Sequence, residues 1–227
     1  MDAPLRLPDP RLQARLAAAI DAEGKIGRAL EALGPVRGGR VLLVEASPGG
    51  RQARSLRALG ARLTTHRSLR LDDLPAASFD LVVICWRDLD DADLVSAAAR
   101  LAPGGRLILV QAYGRDDVAP LAAPAGRSVA GWNERAAPRP GPDWRIRTLH
   151  CWWTFGSLRG ARSFLGAAFP EVGPAAAATL RRPRLSFKVG IHHRDLEPHD
   201  PQPPEPQPRD PQPRDTASHD LEPTAGR

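Results

Sequence analysis

Cysteine, lysine and tyrosine are scarce in this chain of 227 residues, which holds two Cys, one Tyr and, among its 32 basic side chains, only Lys25 and Lys188 as lysines. Cys85 and Cys151 lie in apolar strand-like runs with no metal-ligand spacing. That excludes a disulfide framework, gives no support to a zinc site, and fits a reducing, cytoplasmic compartment. The pair His192-His193 also lacks a Cys or carboxylate at ligand spacing, so no metal is expected. No apolar run approaches the roughly 20 residues that cross a bilayer. The opening MDAPLRLPDP has no apolar core of a signal peptide, so the expectation is a soluble protein without a membrane partner. No G-x-G-x-x-G follows a strand-like run, which weighs against a nicotinamide fold. No aromatic-basic RNA module is present either.

The positive charge is therefore almost wholly arginine, with a formal net of +6. Its distribution is uneven. Residues 1–126 carry 17 basic and 15 acidic side chains, residues 127–194 carry 12 and 3, and residues 195–227 carry 3 and 8. The middle surplus suits an acidic partner, and nucleic acid is one reading of it, although an Arg-, Ala- and Pro-rich composition explains it as well.

Before residue 35, Leu12, Leu16, Ala19 and Ile20 recur at helical spacing, as do Ile26, Leu30 and Leu33, with Gly34-Pro35 as a stop. VLLVEASPGG, Val41–Gly50, then gives a buried strand, a turn of small residues and the start of a helix over Arg51–Leu59. Arg62–Thr65 reads as a second strand ending near His66. Leu81–Trp86 is a third apolar run, Asp90–Leu101 a helix with acidic residues in its first turn, and Pro103-Gly104-Gly105 a turn into the strand Arg106–Gln111. The alternation predicts an α/β fold, a doubly wound and mostly parallel sheet. Residues 114–143 are rich in Pro, Gly, Ala and Arg, with a helical stretch expected around Ser128–Arg135 and a lid as one role. Trp144–Phe155 and Arg184–His193 read as a last pair of strands around a helix, Ser157–Phe169, capped by Ser157. His150 reads as a core residue of its strand, and Trp152 and Trp153 point to opposite faces. From Asp195 onward the Pro-rich, charged, repetitive sequence cannot form a core and predicts a disordered tail. The domain division is thus 1–35, N-terminal helices; 36–194, the α/β domain; 195–227, the tail.

VLLVEASPGG with RQARSLRALGARLT, then LPAASFDLVVICW, then LAPGGRLILVQAYG, resemble in order the first, fourth-strand and fifth-strand motifs of class I S-adenosylmethionine-dependent methyltransferases. The resemblance covers residues 35–115 and extends loosely to 194, where the last strands fit the family's antiparallel last strand in a Rossmann-like sheet. It implies S-adenosylmethionine as cofactor and methyl transfer to a small-molecule acceptor. Carried over by position, Glu45, Ala46, Ser47, Pro48, Gly49 and Gly50 form the cofactor turn, in which glycine allows close backbone approach. His66 stands where an acidic residue holds the ribose, Asp72 or Asp73 near the adenine contact, and Trp86 beside the pocket. Pro48 removes one backbone donor from the turn. Tyr113, Asp116 and Asp117, after the fifth strand, are candidates to touch substrate, with helix capping as the other reading of the aspartates. Methyl transfer needs mainly in-line positioning, so no catalytic residue is assigned. The eroded turn and long tail also suit a methyltransferase-like binding or scaffold protein without turnover, and the arginine surplus an RNA-binding or RNA-modifying one. Oligomeric state is not legible.

Overall fold

The computed structural model describes residues 4–45, 50–122 and 143–195. Ala46, Ser47, Pro48 and Gly49 of the expected cofactor turn lie outside the described residues, as do the expected helix around 128–135 and the expected tail beyond Asp195.

Six strands build one sheet: β1 (Arg40–Val44), β2 (Arg62–His66), β3 (Phe79–Cys85), β4 (Leu101–Ala112), β5 (Arg145–Thr154) and β6 (Arg184–Asp195). Their spatial order is β2-β1-β3-β4-β6-β5. The four strands from β2 to β4 are parallel neighbours, whereas β6 runs antiparallel to both β4 and β5. The expected doubly wound, mostly parallel sheet with an antiparallel last strand is therefore what the chain forms. The apolar runs of β1 and β3 are long because both faces are covered. Val41, Leu43, Leu81 and Val83 enter one core, and Leu42, Val44, Val82 and Ile84 enter the other.

The two faces are covered unequally. Helices α1 (Pro10–Ala19), α2 (Lys25–Leu33), α3 (Arg51–Ala58), α6 (Leu158–Ala168) and α7 (Gly173–Thr179), with the short α5 (Ala119–Ala122), contribute to the first core. On the second, α4 (Asp91–Ala98) packs with Leu69, Leu71 and Leu74 from the β2–β3 connection. Local sequence sets these helices. Asp9 caps α1 ahead of Pro10, Asp90 and Asp93 form a reciprocal capping box on α4, and Ser157 accepts from Gly160 N–H on α6. The start of α2 is held from outside the helix: Asp21, 3% exposed, accepts from the N–H groups of Lys25 at 2.8 Å and Ile26 at 2.9 Å.

FDLVVIC, which resembles the family's fourth-strand motif, is the third strand in chain order, as the sequence reading counted it, and β2 stands at the sheet edge among the described residues. Three features differ from the sequence reading. Pro103-Gly104-Gly105 is a bulge inside β4: Phe79 pairs with Leu101 and Leu81 with Arg106, while Gly104 takes a left-handed φ of +73°. Helix α7 was hidden because GPAAAAT carries no amphipathic pattern. His150 is exposed on an edge strand, where only one neighbouring strand shields it.

Candidate functional site

In an open α/β sheet, ligands gather where the parallel strands end at their carboxyl edge. Here that edge is formed by Glu45 after β1, His66 closing β2, Trp86 after β3, and Tyr113, Asp116 and Asp117 after β4. Glu45 is 1% exposed and its N–H donates to His66 O at 3.0 Å, tying the ends of β1 and β2 together. Gly50 stands at the N-cap of α3 in extended backbone (φ −60°, ψ −178°) with no side-chain cap. The first-turn N–H groups of α3 and the positive end of its dipole thus lie at the helix end that follows β1 in sequence.

Trp86 has a left-handed φ of +54°, a conformation that bulky residues rarely adopt. It turns the indole back onto Phe187, with ring centroids 5.9 Å apart, and leaves the buried Nε1 without a hydrogen-bond partner among the described residues.

His66 is already engaged on both ring nitrogens, with Nδ1 2.9 Å from Ser68 O and Nε2 3.4 Å from the Asp73 carboxylate. Asp72 pairs at 3.5 Å with Arg100, which stands immediately before β4, so it sits toward the opposite edge of the sheet. The structure brings Glu45, Gly50, His66 and Trp86 to one edge and does not bring Asp72 there.

Tyr113 lies against His192 with ring centroids 6.2 Å apart, and its N–H extends the sheet to Lys188 O. Asp116 is spent on the backbone: Oδ1 accepts from Val118 and Ala119 N–H at 3.0 and 2.9 Å, and Oδ2 from Lys188 N–H at 2.7 Å. Burial pushes its carboxyl above the ordinary range, and the three N–H donors oppose that. Asp117 exchanges two bonds with Ser186, its N–H donating to Oγ and its Oδ2 accepting from Ser186 N–H at 2.8 Å. Both aspartates continue the ladder of β6 beyond the end of β4. Helix capping accounts for part of Asp116, and strand stapling, which sequence spacing does not reveal, for the rest.

Next to this staple is a groove of about 730 Å³, bounded by Asp116 and Asp117, α5, Trp152 and Leu185 of the β5–β6 hairpin, and the segment from α7 through Arg181 and Arg182 to Arg184. Sequence reading set Trp152 and Trp153 on opposite faces of their strand but missed the three arginines, which join the groove where α7 leads into β6. Among the described residues, no group of three or more His, Cys, Asp or Glu is placed to hold a metal, and no helix is long and apolar enough to cross a membrane.

No family model matches the chain, and no curated protein matches it in sequence. Solved structures do match in shape. A candidate type II methyltransferase from Anaeromyxobacter dehalogenans aligns with a TM-score of 0.52 at 18% identity, covering 77% of this chain and 96% of that one. The YcgJ protein of Bacillus subtilis reaches 0.47 at 13% identity over 77% and 99% of the two chains. A methyltransferase from Geobacter sulfurreducens, in complex with S-adenosyl-L-homocysteine, reaches 0.43 at 15% identity over 82% and 99%. The first of these alignments places the chain in the α/β methyltransferase fold.

Proposed function

We infer that this chain is an S-adenosylmethionine-dependent methyltransferase acting on a small-molecule acceptor, with residues 36–194 as the catalytic unit. The observation that carries the reading is the buried Glu45 carboxylate at the end of β1, five residues ahead of Gly50, the α3 N-cap that carries no side-chain cap, in a sheet of methyltransferase topology. This pairing fits the amino-acid end of the cofactor, which bears an ammonium and a carboxylate. Glu45 would face the ammonium, the N–H groups that open α3 the carboxylate, and Trp86 Nε1 an oxygen or nitrogen of the nucleoside. When bound, the cofactor supplies an electrophilic methyl group on a sulfonium.

The protein's share is position and exclusion of water. Glu45 and α3 fix one end of the cofactor, and Trp86, held by Phe187, limits where the other end lies. Asp116 builds the edge through its three backbone donors, so no proton transfer is assigned to it.

Calorimetry of the full chain with S-adenosylmethionine and S-adenosylhomocysteine tests the reading. Binding should be seen with both, and Gly49→Val, which blocks close approach of the turn, should abolish it. No binding of either at millimolar concentration overturns the reading. It would favour a methyltransferase-like scaffold without turnover.

A further inference from the structure

The groove beside α7 combines an apolar floor, one large aromatic wall and a concentration of positive charge. Leu121, Val172, Leu180 and Leu185 supply apolar surface, and Trp152 presents its ring with the Arg184 guanidinium 4.2 Å from the ring centroid. Arg181 and Arg182 are exposed on the segment that leads from α7 into β6. None of these three arginines has a carboxylate within ion-pair distance among the described residues. Asp116 and Asp117 line the opposite wall, but their carboxylates accept N–H groups of the α5 start and β6. They answer backbone donors, while Arg184 is stacked on Trp152 and Arg181 and Arg182 have no carboxylate among the described residues.

A volume of about 730 Å³ is within the range of small-molecule sites. Arginines left without a carboxylate beside a flat aromatic ring suit a planar anion, because guanidinium binds carboxylate oxygens in a bidentate manner and both ring and guanidinium stack on π surfaces.

We propose that this groove binds a small aromatic carboxylate, its ring against Trp152 and its anionic end toward Arg181, Arg182 and Arg184. If the chain transfers methyl groups, this ligand class is the acceptor; that last step rests on the proposed function, whereas the binding itself does not. The groove opens at the same carboxyl edge as Glu45 and Trp86, since Asp116 and Asp117 follow β4 directly.

The test is a titration of the full chain, without cofactor, using 1-naphthylacetate and its uncharged analogue 1-naphthylacetamide, read by calorimetry and tryptophan fluorescence. The carboxylate should bind at least tenfold more tightly than the amide, and the difference should shrink with added salt. The double variant R181A/R182A should bring the two ligands to within about threefold, R181K/R182K should restore part of the preference, and Trp152→Leu should weaken both ligands. The two arginines are exposed, so an unchanged melting temperature for their variants separates lost binding from lost folding. Equal binding of acid and amide, no binding of either, or a preference that survives R181A/R182A overturns the proposal. Cofactor binding without naphthylacetate binding removes the groove and leaves the methyltransferase reading intact. Naphthylacetate binding without cofactor binding does the reverse.

Discussion

Side chains that invite a chemical reading in the sequence turn out to be spent on structure. Cys151 is 2% exposed and burial, with Asp21 nearby, pushes its thiol up to about 12. Cys85 is equally buried at the end of β3. Cys151 should not form a thiolate near neutral pH and Cys85 is shielded by burial, so Ellman's reagent should find no reactive thiol in the native protein and two after denaturation. A native reaction at Cys151 would mean that the Ile20–Asp21 segment, paired to β5 at Trp153, opens readily. Asp116 follows the same logic. Removing its carboxylate leaves the Lys188, Val118 and Ala119 N–H groups without their acceptor, so Asp116→Ala should cost about 2 to 3 kcal/mol of stability in urea denaturation. Trp86 differs from both, because its indole N–H has no structural partner among the described residues.

Between elements, the Phe-Asp pair that marks the start of β3 has a plain physical role. Asp80 accepts from the Arg40 N–H at 2.8 Å and binds its guanidinium at 2.6 Å, clamping the first residues of β1 and β3 at the edge opposite the site. The Arg40 guanidinium holds the Asp80 carboxyl below its ordinary value. Both side chains are partly exposed, so Asp80→Asn should destabilise by only about 1 kcal/mol and leave cofactor binding unchanged. A sharper effect is expected at Gly173, where a Cβ would come 2.0 Å from Leu165 O. Gly173→Val must separate α7 from α6 and should cost about 2 to 3 kcal/mol in the same measurement. All six strands were legible in the sequence, because buried runs such as LVVIC and strand-breaking Gly and Pro are local signals. The helices with strong caps, α4 and α6, were legible for the same reason. Helix α7 was not, since alanine repeats carry no face, and neither was the inner place of β6, which is decided by pairing across the chain. Of the candidate site, the positions of Glu45 and Trp86 just after apolar strands and of Gly50 at a helix start were legible, while their roles toward a ligand belong to the proposal. The arginine groove depends on α7 and could not be read from residues far apart in sequence.

Over the whole molecule, stability should fall on mild acidification. His192 and His193 are 8% and 9% exposed on opposite faces of β6, and burial holds both below the ordinary value of 6.5. The unfolded chain therefore binds these protons more readily than the folded one. Their contribution is complete above pH 6.5 and is lost as the pH falls through their lowered values. The melting temperature should drop between pH 7.5 and 5.5, and His192→Gln should flatten that slope. Asp21 and Asp116, raised by burial, act in the opposite sense in the carboxylate range, where their stability is present below 3.8 and lost as the pH rises through their raised values. The inner position of β6 also has a consequence in time. Among the described residues β5 pairs with β6 and with no other strand apart from the single bridge from Ile20, yet it is made well before β6. A growing chain can extend its sheet from β1 as far as β4 and must then wait for its final strand. Trp152, α7, Asp117 and Arg184 come from both sides of that wait, so their groove is assembled in the closing step of folding, and a ligand held there reports that the last strand has arrived.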